Sequence, residues 1–173
     1  MTEKRSHVPA PVGVQARILV VCLGNICRSP TAEGLIRHRL EAASLADRVT
    51  VDSAGTGDWH VGQPPDRRSI ACATGHGIDL SELRARQIGP SDFHEFDWLL
   101  CADSANLRDV RKLAPSGASA QSALLLEWAG LDEREVPDPY TGDAHQFERV
   151  WALLERAADG VVARLARELG EGR

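Results

Sequence analysis

The stretch ILVVCLGNICRSPTAEGLIRHRLEAA, residues 18–43, contains a change of period that decides the fold. Ile18 to Cys22 is a continuous apolar run of strand length, the pattern of a strand covered on both faces. Ala32, Leu35, Ile36, Leu40 and Ala43 then recur at helical spacing. The residues between them make a tight loop, so the stretch reads as strand, loop, helix.

Outward from this unit the same alternation continues. Val49 to Ser53 reads as a second strand, and Asp66 to Thr74 as a helix opened by Pro64 and Pro65 and closed by Gly75 and Gly77. Trp98 to Cys101 reads as a third strand, followed by a helix from Ser104 to Ala114 that Pro115 stops. A fourth strand is expected at Ala123 to Leu126. Phe147, Val150, Trp151, Leu154, Ala158, Val161, Leu165 and Leu169 form one stripe of a long final helix. Strands alternating with helices imply an α/β protein, a parallel sheet with helices on both faces. Ligands of such sheets bind beyond the carboxyl ends of the strands, where Cys22, Ser53 and Cys101 fall.

A length of 173 residues with 43% hydrophobic and 26% charged residues suits one globular domain. Residues 1–16 lack periodicity and carry Pro9, Pro11 and Gly13, so a flexible tail is expected there, with the domain over 17–173. The net charge of -5 is mild and spread out, which argues against a nucleic-acid or membrane-surface partner. With no membrane-length apolar run and no apolar stretch at the start of the chain, a cytoplasmic location is the expectation; a monomer is expected. Four cysteines, Cys22, Cys27, Cys72 and Cys101, include no C-x2-C pair; they read as reduced thiols rather than a disulfide scaffold or zinc site. Cys72 and Cys101 read as buried and inert. Arginine outnumbers lysine 18 to 2, a bias of GC-rich bacterial genomes.

The chemistry concentrates in the loop. Cys22 precedes Arg28 by six residues, a spacing that alone is close to a chance match. Context raises its weight. Gly24 and Asn25 both take left-handed backbone readily, so the loop can curl with its amides pointing inward. A curled loop feeding a helix N-terminus is an anion site. The same dipole and the nearby guanidinium favour a Cys22 thiolate, the attacking form of sulfur. Ser29 can donate to that sulfur, and Arg28 offers two parallel N–H bonds to a phosphate. Attack on phosphorus expels an oxygen that needs a proton. Asp138, fixed between Pro137 and Pro139, is a candidate donor, although Asp-Pro is also a common turn signal.

The loop VCLGNICRSP, the segments DSAGTGDWHVGQPPD, HGIDLS, RARQI and LLCADSANL, and the late DPY, taken in that order over residues 17–169, resemble the low-molecular-weight protein tyrosine phosphatases. The resemblance implies a four-stranded parallel sheet and hydrolysis of phosphotyrosine in protein substrates through a phosphocysteine, with no cofactor and no metal. It implies Cys22 as nucleophile, Arg28 as phosphate clamp, and the amides of Leu23, Gly24, Asn25, Ile26, Cys27 and Arg28 as the phosphate cradle. Asp138 would be the general acid and then the base. Ser29 would stabilise the thiolate, and Asn25, held by Ser53 and His76, would keep the loop curled. Asp103 would orient the arginine or simply cap a helix. Trp59 and Tyr140 would wall the cleft, and Cys27 could form a protective disulfide with Cys22 under oxidation.

Members often carry a second tyrosine after the DPY tyrosine, where this chain has Thr141, so regulation by phosphorylation of a second tyrosine is not expected. Arsenate reductases of the same fold relay oxidation through two further cysteines, whereas no cysteine follows Cys101. Ile26 stands where arginine phosphatases carry threonine, favouring an aryl phosphate. A phosphate-binding module without catalysis would need neither a thiolate nor the Asp138 acid.

Overall fold

The computed structural model describes residues 13–171. Four parallel strands form one sheet in the order β2-β1-β3-β4, with β1 at Ala16–Cys22, β2 at Val49–Gly55, β3 at Trp98–Cys101 and β4 at Gln121–Leu124. The helices are α1 (Arg28–Ala42), α2 (Arg67–Gly75), α3 (Asp92–Glu95), α4 (Ser104–Leu113), α5 (Leu125–Trp128) and α6 (Ala144–Glu171).

The unbroken apolar run of β1 follows from its central position. Ile18, Val20 and Cys22 belong to the core shared with α1 and α6, while Leu19 and Val21 belong to the opposite core with Leu99, Cys101 and Val110. Side chains alternate across a strand, so a strand packed on both faces needs apolar residues at every position. On the larger face, α6 lays Phe147, Val150, Trp151, Leu154, Ala158, Val161 and Leu165 inward, each at most 5% exposed.

The expected α/β architecture is present, with two differences in its elements. β4 ends at Leu124, and the apolar run continues as α5 from Leu125. Leu124, Leu125 and Leu126 are all buried, and a short run of this kind carries no period to separate strand from helix. The single turn of α3 has no periodic signal to betray it. The flexible tail expected over residues 1–16 lies outside the described residues as far as residue 12; from there β1 begins at Ala16, one residue before the expected start of the fold.

The chain leaves β1 for β2 on one side and reaches β3 and then β4 on the other. The carboxyl ends of β1 and β3, Cys22 and Cys101, therefore flank the point where chain direction switches. Asp103 follows β3 and caps α4.

Gly160 lets α6 cross α5 closely, because a Cβ there would overlap the Ala129 carbonyl oxygen. Gly160→Ala is expected to lower the unfolding free energy by roughly 1–3 kcal/mol through overpacking, against alanine's better helix propensity. Urea denaturation checks this, and undiminished stability would show that α5 yields to the methyl group.

Candidate active site

The loop between β1 and α1 is tied outward by its carbonyls. Those of Cys22 and Leu23 accept from the amides of Thr56 and Gly57, and that of Ile26 accepts from Asp66. The Cys27 carbonyl accepts from the Thr31 hydroxyl at 2.7 Å. Gly55 makes the approach of β2 possible, since a Cβ there would stand 2.7 Å from the Leu23 carbonyl oxygen. Arg28 opens α1 with Cys27 as its N-cap, so the positive end of that helix faces the loop.

Asn25 alone in the loop has a left-handed backbone, φ 56°. Gly24, expected to share that conformation, does not; its missing side chain instead leaves room for His60, whose Cδ2 would lie 3.1 Å from a Cβ. The Asn25 amide donates to Ser29 Oγ at 2.7 Å and to Ser53 Oγ at 3.0 Å, while its oxygen accepts from the Arg86 amide at 2.9 Å. Ser29 Oγ lies 3.0 Å from Cys22 Sγ. A hydroxyl that already accepts from Asn25 has its proton free for sulfur. Ser53 in turn donates to the buried Glu33 at 2.7 Å.

The expected contact of His76 with Asn25 does not exist. His76 Nε2 bonds Glu148 at 2.9 Å and its ring stacks on Trp151. The histidine caps the end of α2, which directs it toward α6, away from the loop. Arg86 takes the position at Asn25 instead, fixed by a two-pronged pair with Asp92, both bonds 3.0 Å, and by Asp52 at 3.1 Å.

Arg28 is buried, and one guanidinium nitrogen donates to Asp103 at 2.6 Å and to the Val136 carbonyl at 3.0 Å. Its other terminal nitrogen lies 3.7 Å from Asp138 Oδ2. Burial works against the guanidinium charge, but Cys22, Asp103 and Asp138 outweigh it and hold the pKa above the ordinary arginine range. Asp103 fulfils both readings at once, since its other oxygen accepts from the Asn106 amide in a capping box. Asp138 Oδ1 accepts from the Tyr140 amide at 3.1 Å.

Cys22, Arg28, Asp138, Trp59, His60 and Tyr140 border one cavity of about 150 Å³ above the loop, with Leu23, Ile26 and Cys27 also lining it. Trp59 and Tyr140 are 65% and 50% exposed, which places both on the rim. Trp59 rests its ring on Gly57, where any Cβ would collide with it. Burial, with Asp66 as a further cause, pushes the Cys27 thiol up to about 12. Cys101 is buried as expected, whereas Cys72 is only half-buried and sits beside Glu148. Among the described residues, the donors able to hold a metal ion together, Cys72, His76 and Glu148, stand outside this cavity.

Glu33, Arg86, His60 and Arg68 escape the sequence reading. Arg68 straps the Asp138 segment down: it donates to the carbonyls of Tyr140 at 2.8 Å and Gly142 at 3.1 Å. It is paired with Asp66 at 3.0 Å, and its guanidinium lies over Phe147 at 4.5 Å. None of these four has a local signal, apart from RARQI as a motif, because each acts across the fold.

A thiol and a guanidinium on a curled loop that opens a helix thus stand at the switch point of a parallel sheet, the place where α/β proteins of this class bind their ligands. Residues 17–171 match the family described as low molecular weight phosphotyrosine protein phosphatase. The low molecular weight protein-tyrosine-phosphatase of Streptomyces coelicolor is 43% identical over 162 residues, 91% of this chain and 97% of that protein. The human low molecular weight phosphotyrosine protein phosphatase is 40% identical over 150 residues, 81% of this chain and 94% of its own length. The crystal structure of a protein tyrosine phosphatase from Entamoeba histolytica superposes with a TM-score of 0.83 at 31% identity, covering 89% of this chain and 99% of that one. The chain belongs to the low molecular weight phosphotyrosine protein phosphatase family.

Asn25→Ala removes the bonds to Ser29, Ser53 and the Arg86 amide and leaves buried groups without partners, so it is expected to lower stability by roughly 1–3 kcal/mol. An unchanged urea midpoint would show that the loop holds its curl without the amide.

Proposed function

We propose that the protein hydrolyses phosphotyrosine and related aryl phosphate monoesters in protein substrates through a phosphocysteine. The observation that supports this most directly is the convergence of Cys22, Arg28 and Asp138 on one cavity. Phosphate would sit on the amides from Leu23 to Arg28, two of its oxygens held by the Arg28 fork. Asp103 and the Val136 carbonyl restrain that fork, so little ordering remains for the moment of reaction.

The Cys22 thiolate attacks phosphorus, a sulfur–phosphorus bond forms and the bond to the phenolic oxygen breaks. Asp138, entering protonated, gives its proton to the departing oxygen. Charge spread over the equatorial oxygens is met by Arg28 and the loop amides, while the hydroxyl of Ser29 stabilises sulfur as it becomes the leaving group. In the second half Asp138 removes a proton from water, whose oxygen attacks phosphorus and releases inorganic phosphate and the Cys22 thiolate. Trp59 and Tyr140 on the rim suit a flat phenyl ring entering from solvent, and Ile26 keeps the cavity wall apolar. Under oxidation, a Cys22 sulfenic acid can condense with the Cys27 thiol to a disulfide and water, sparing the sulfur from further oxidation.

A steady-state comparison of phosphotyrosine, phosphoserine, phosphoarginine and arsenate is expected to favour phosphotyrosine, without added metal and with inhibition by vanadate. Cys22→Ser should reduce turnover to background, and full activity there would sink the mechanism. Asp138→Ala should lower turnover by roughly 10²–10⁴-fold for poor leaving groups and much less for acidic phenols; equal losses across the series would remove Asp138 from the role. His76→Ala should leave kcat/KM unchanged, since the ring faces α6 rather than the loop.

A further inference from the structure

Cys72 lies in the last turn of α2, and His76, four residues on, caps that helix. Glu148, near the start of α6, faces both. Its Oε1 is 3.4 Å from Cys72 Sγ and its Oε2 is 2.9 Å from His76 Nε2. One sulfur, one imidazole nitrogen and one carboxylate oxygen thus lie within 4.8 Å of one another. The Phe147 carbonyl oxygen is 3.8 Å from the same sulfur. Stacking on Trp151, at 4.6 Å between ring centres and 10° between planes, holds the imidazole in its orientation.

We propose that Cys72, His76 and Glu148 form a site for one divalent ion of the zinc type, outside the catalytic cleft, which clips α2 to α6. Zinc-type ions accept thiolate, imidazole and carboxylate together, whereas magnesium and calcium want oxygen alone. Metal–ligand bonds of about 2.0–2.3 Å in a tetrahedral array put ligand atoms roughly 3.3–3.8 Å apart. The three ligand atoms stand within 4.8 Å of one another, about 1 Å beyond that spacing at most. Three protein ligands leave a fourth position for water or for the Phe147 carbonyl. His76 and Glu148 have side chains 38% and 56% exposed, so an ion can enter from solvent. On binding, the Cys72 thiol loses its proton to solvent, and the ion separates the resulting thiolate from the Glu148 carboxylate that would otherwise repel it.

The clip has a mechanical meaning in this fold. The Arg68 strap leaves the start of α2 for the Tyr140 and Gly142 carbonyls, and α6 begins just beyond that segment. An ion joining the far end of α2 to α6 closes the second side of the same frame. The small cavity between them is lined by Cys27, Cys72, Pro139 and Trp151, so the clip lies directly behind the phosphate loop.

The test uses the full chain without a histidine tag, as the Cys22→Ser protein, so that the cleft thiol cannot compete. Titration with Co²⁺ is expected to show one equivalent bound, with a near-ultraviolet thiolate-to-cobalt absorption that Zn²⁺ displaces. Zn²⁺ at about a hundredfold excess over its dissociation constant should raise the thermal midpoint by roughly 5–10 °C. Adding Cys72→Ser should abolish the absorption, and adding His76→Asn or Glu148→Gln should weaken binding by at least about tenfold. No stoichiometric binding, or an absorption and a midpoint shift that survive Cys72→Ser, would overturn the proposal. Should Cys72→Ser fail to fold by circular dichroism, undiminished affinity in Glu148→Gln would overturn it equally, because that carboxylate is exposed and its neutral isostere preserves the fold.

Discussion

The left-handed turn at Asn25 is the constraint on which the rest of the site depends. A side-chain-bearing residue in that conformation costs about 1 kcal/mol, and each hydrogen bond made by the asparagine amide offsets about as much. Asn25 makes such bonds to Ser29, Ser53 and the Arg86 backbone. The same bonds that hold the turn also direct the Ser29 hydroxyl at Cys22. Backbone shape and the placement of a hydroxyl beside the sulfur are therefore set by one side chain. Glycine would allow the turn but bond to nothing.

Around this pivot the fold supplies support from three directions. β2 brings Ser53 to one side of the loop, the segments after β3 and α5 bring Asp103 and the Val136 carbonyl together to Arg28, and α2 brings Arg68 to the Asp138 segment. The order β2-β1-β3-β4 makes this possible, because β1 has a neighbour on each side and its carboxyl end opens where the chain turns opposite ways. Asp103 shows how closely fold and site are joined. One of its oxygens caps α4 and the other pairs with the arginine, so one side chain serves both the helix start and the guanidinium.

Local patterns carry the alternation of strands and helices: β1 is an unbroken apolar run and α6 a long apolar stripe, while α1, which also buries Arg28, Ser29, Thr31 and Glu33, carries a weaker signal. The signal also weakens where segments are short. The run from Ala123 to Leu126 is apolar enough to be strand or helix, and pairing with β3 decides that β4 ends at Leu124. Within the site, Cys22, Arg28 and Ser29 stand out through the composition of their loop, whereas Asp138 sits in an ordinary Asp-Pro turn signal and is picked out only by the resemblance of the whole chain to the family. The role expected of His76 fails, since a histidine between two glycines carries no record of which element it faces. Packing turns it to Trp151 and Glu148.

The sequence by itself determined the α/β class and the strand–loop–helix unit that carries Cys22 and Arg28, because each rests on spacing or composition within a few residues. Only the tertiary structure decided the partners: Glu33 behind Ser53, Arg86 at Asn25, Arg68 on the Asp138 segment, and Cys72 with His76 and Glu148. Apart from Cys72 and His76, which share one helix end, those partners lie far apart in the chain, and the packing of helices on the sheet sets which side chains meet. No local pattern encodes that, since the energy of each contact exists only once both elements are in place.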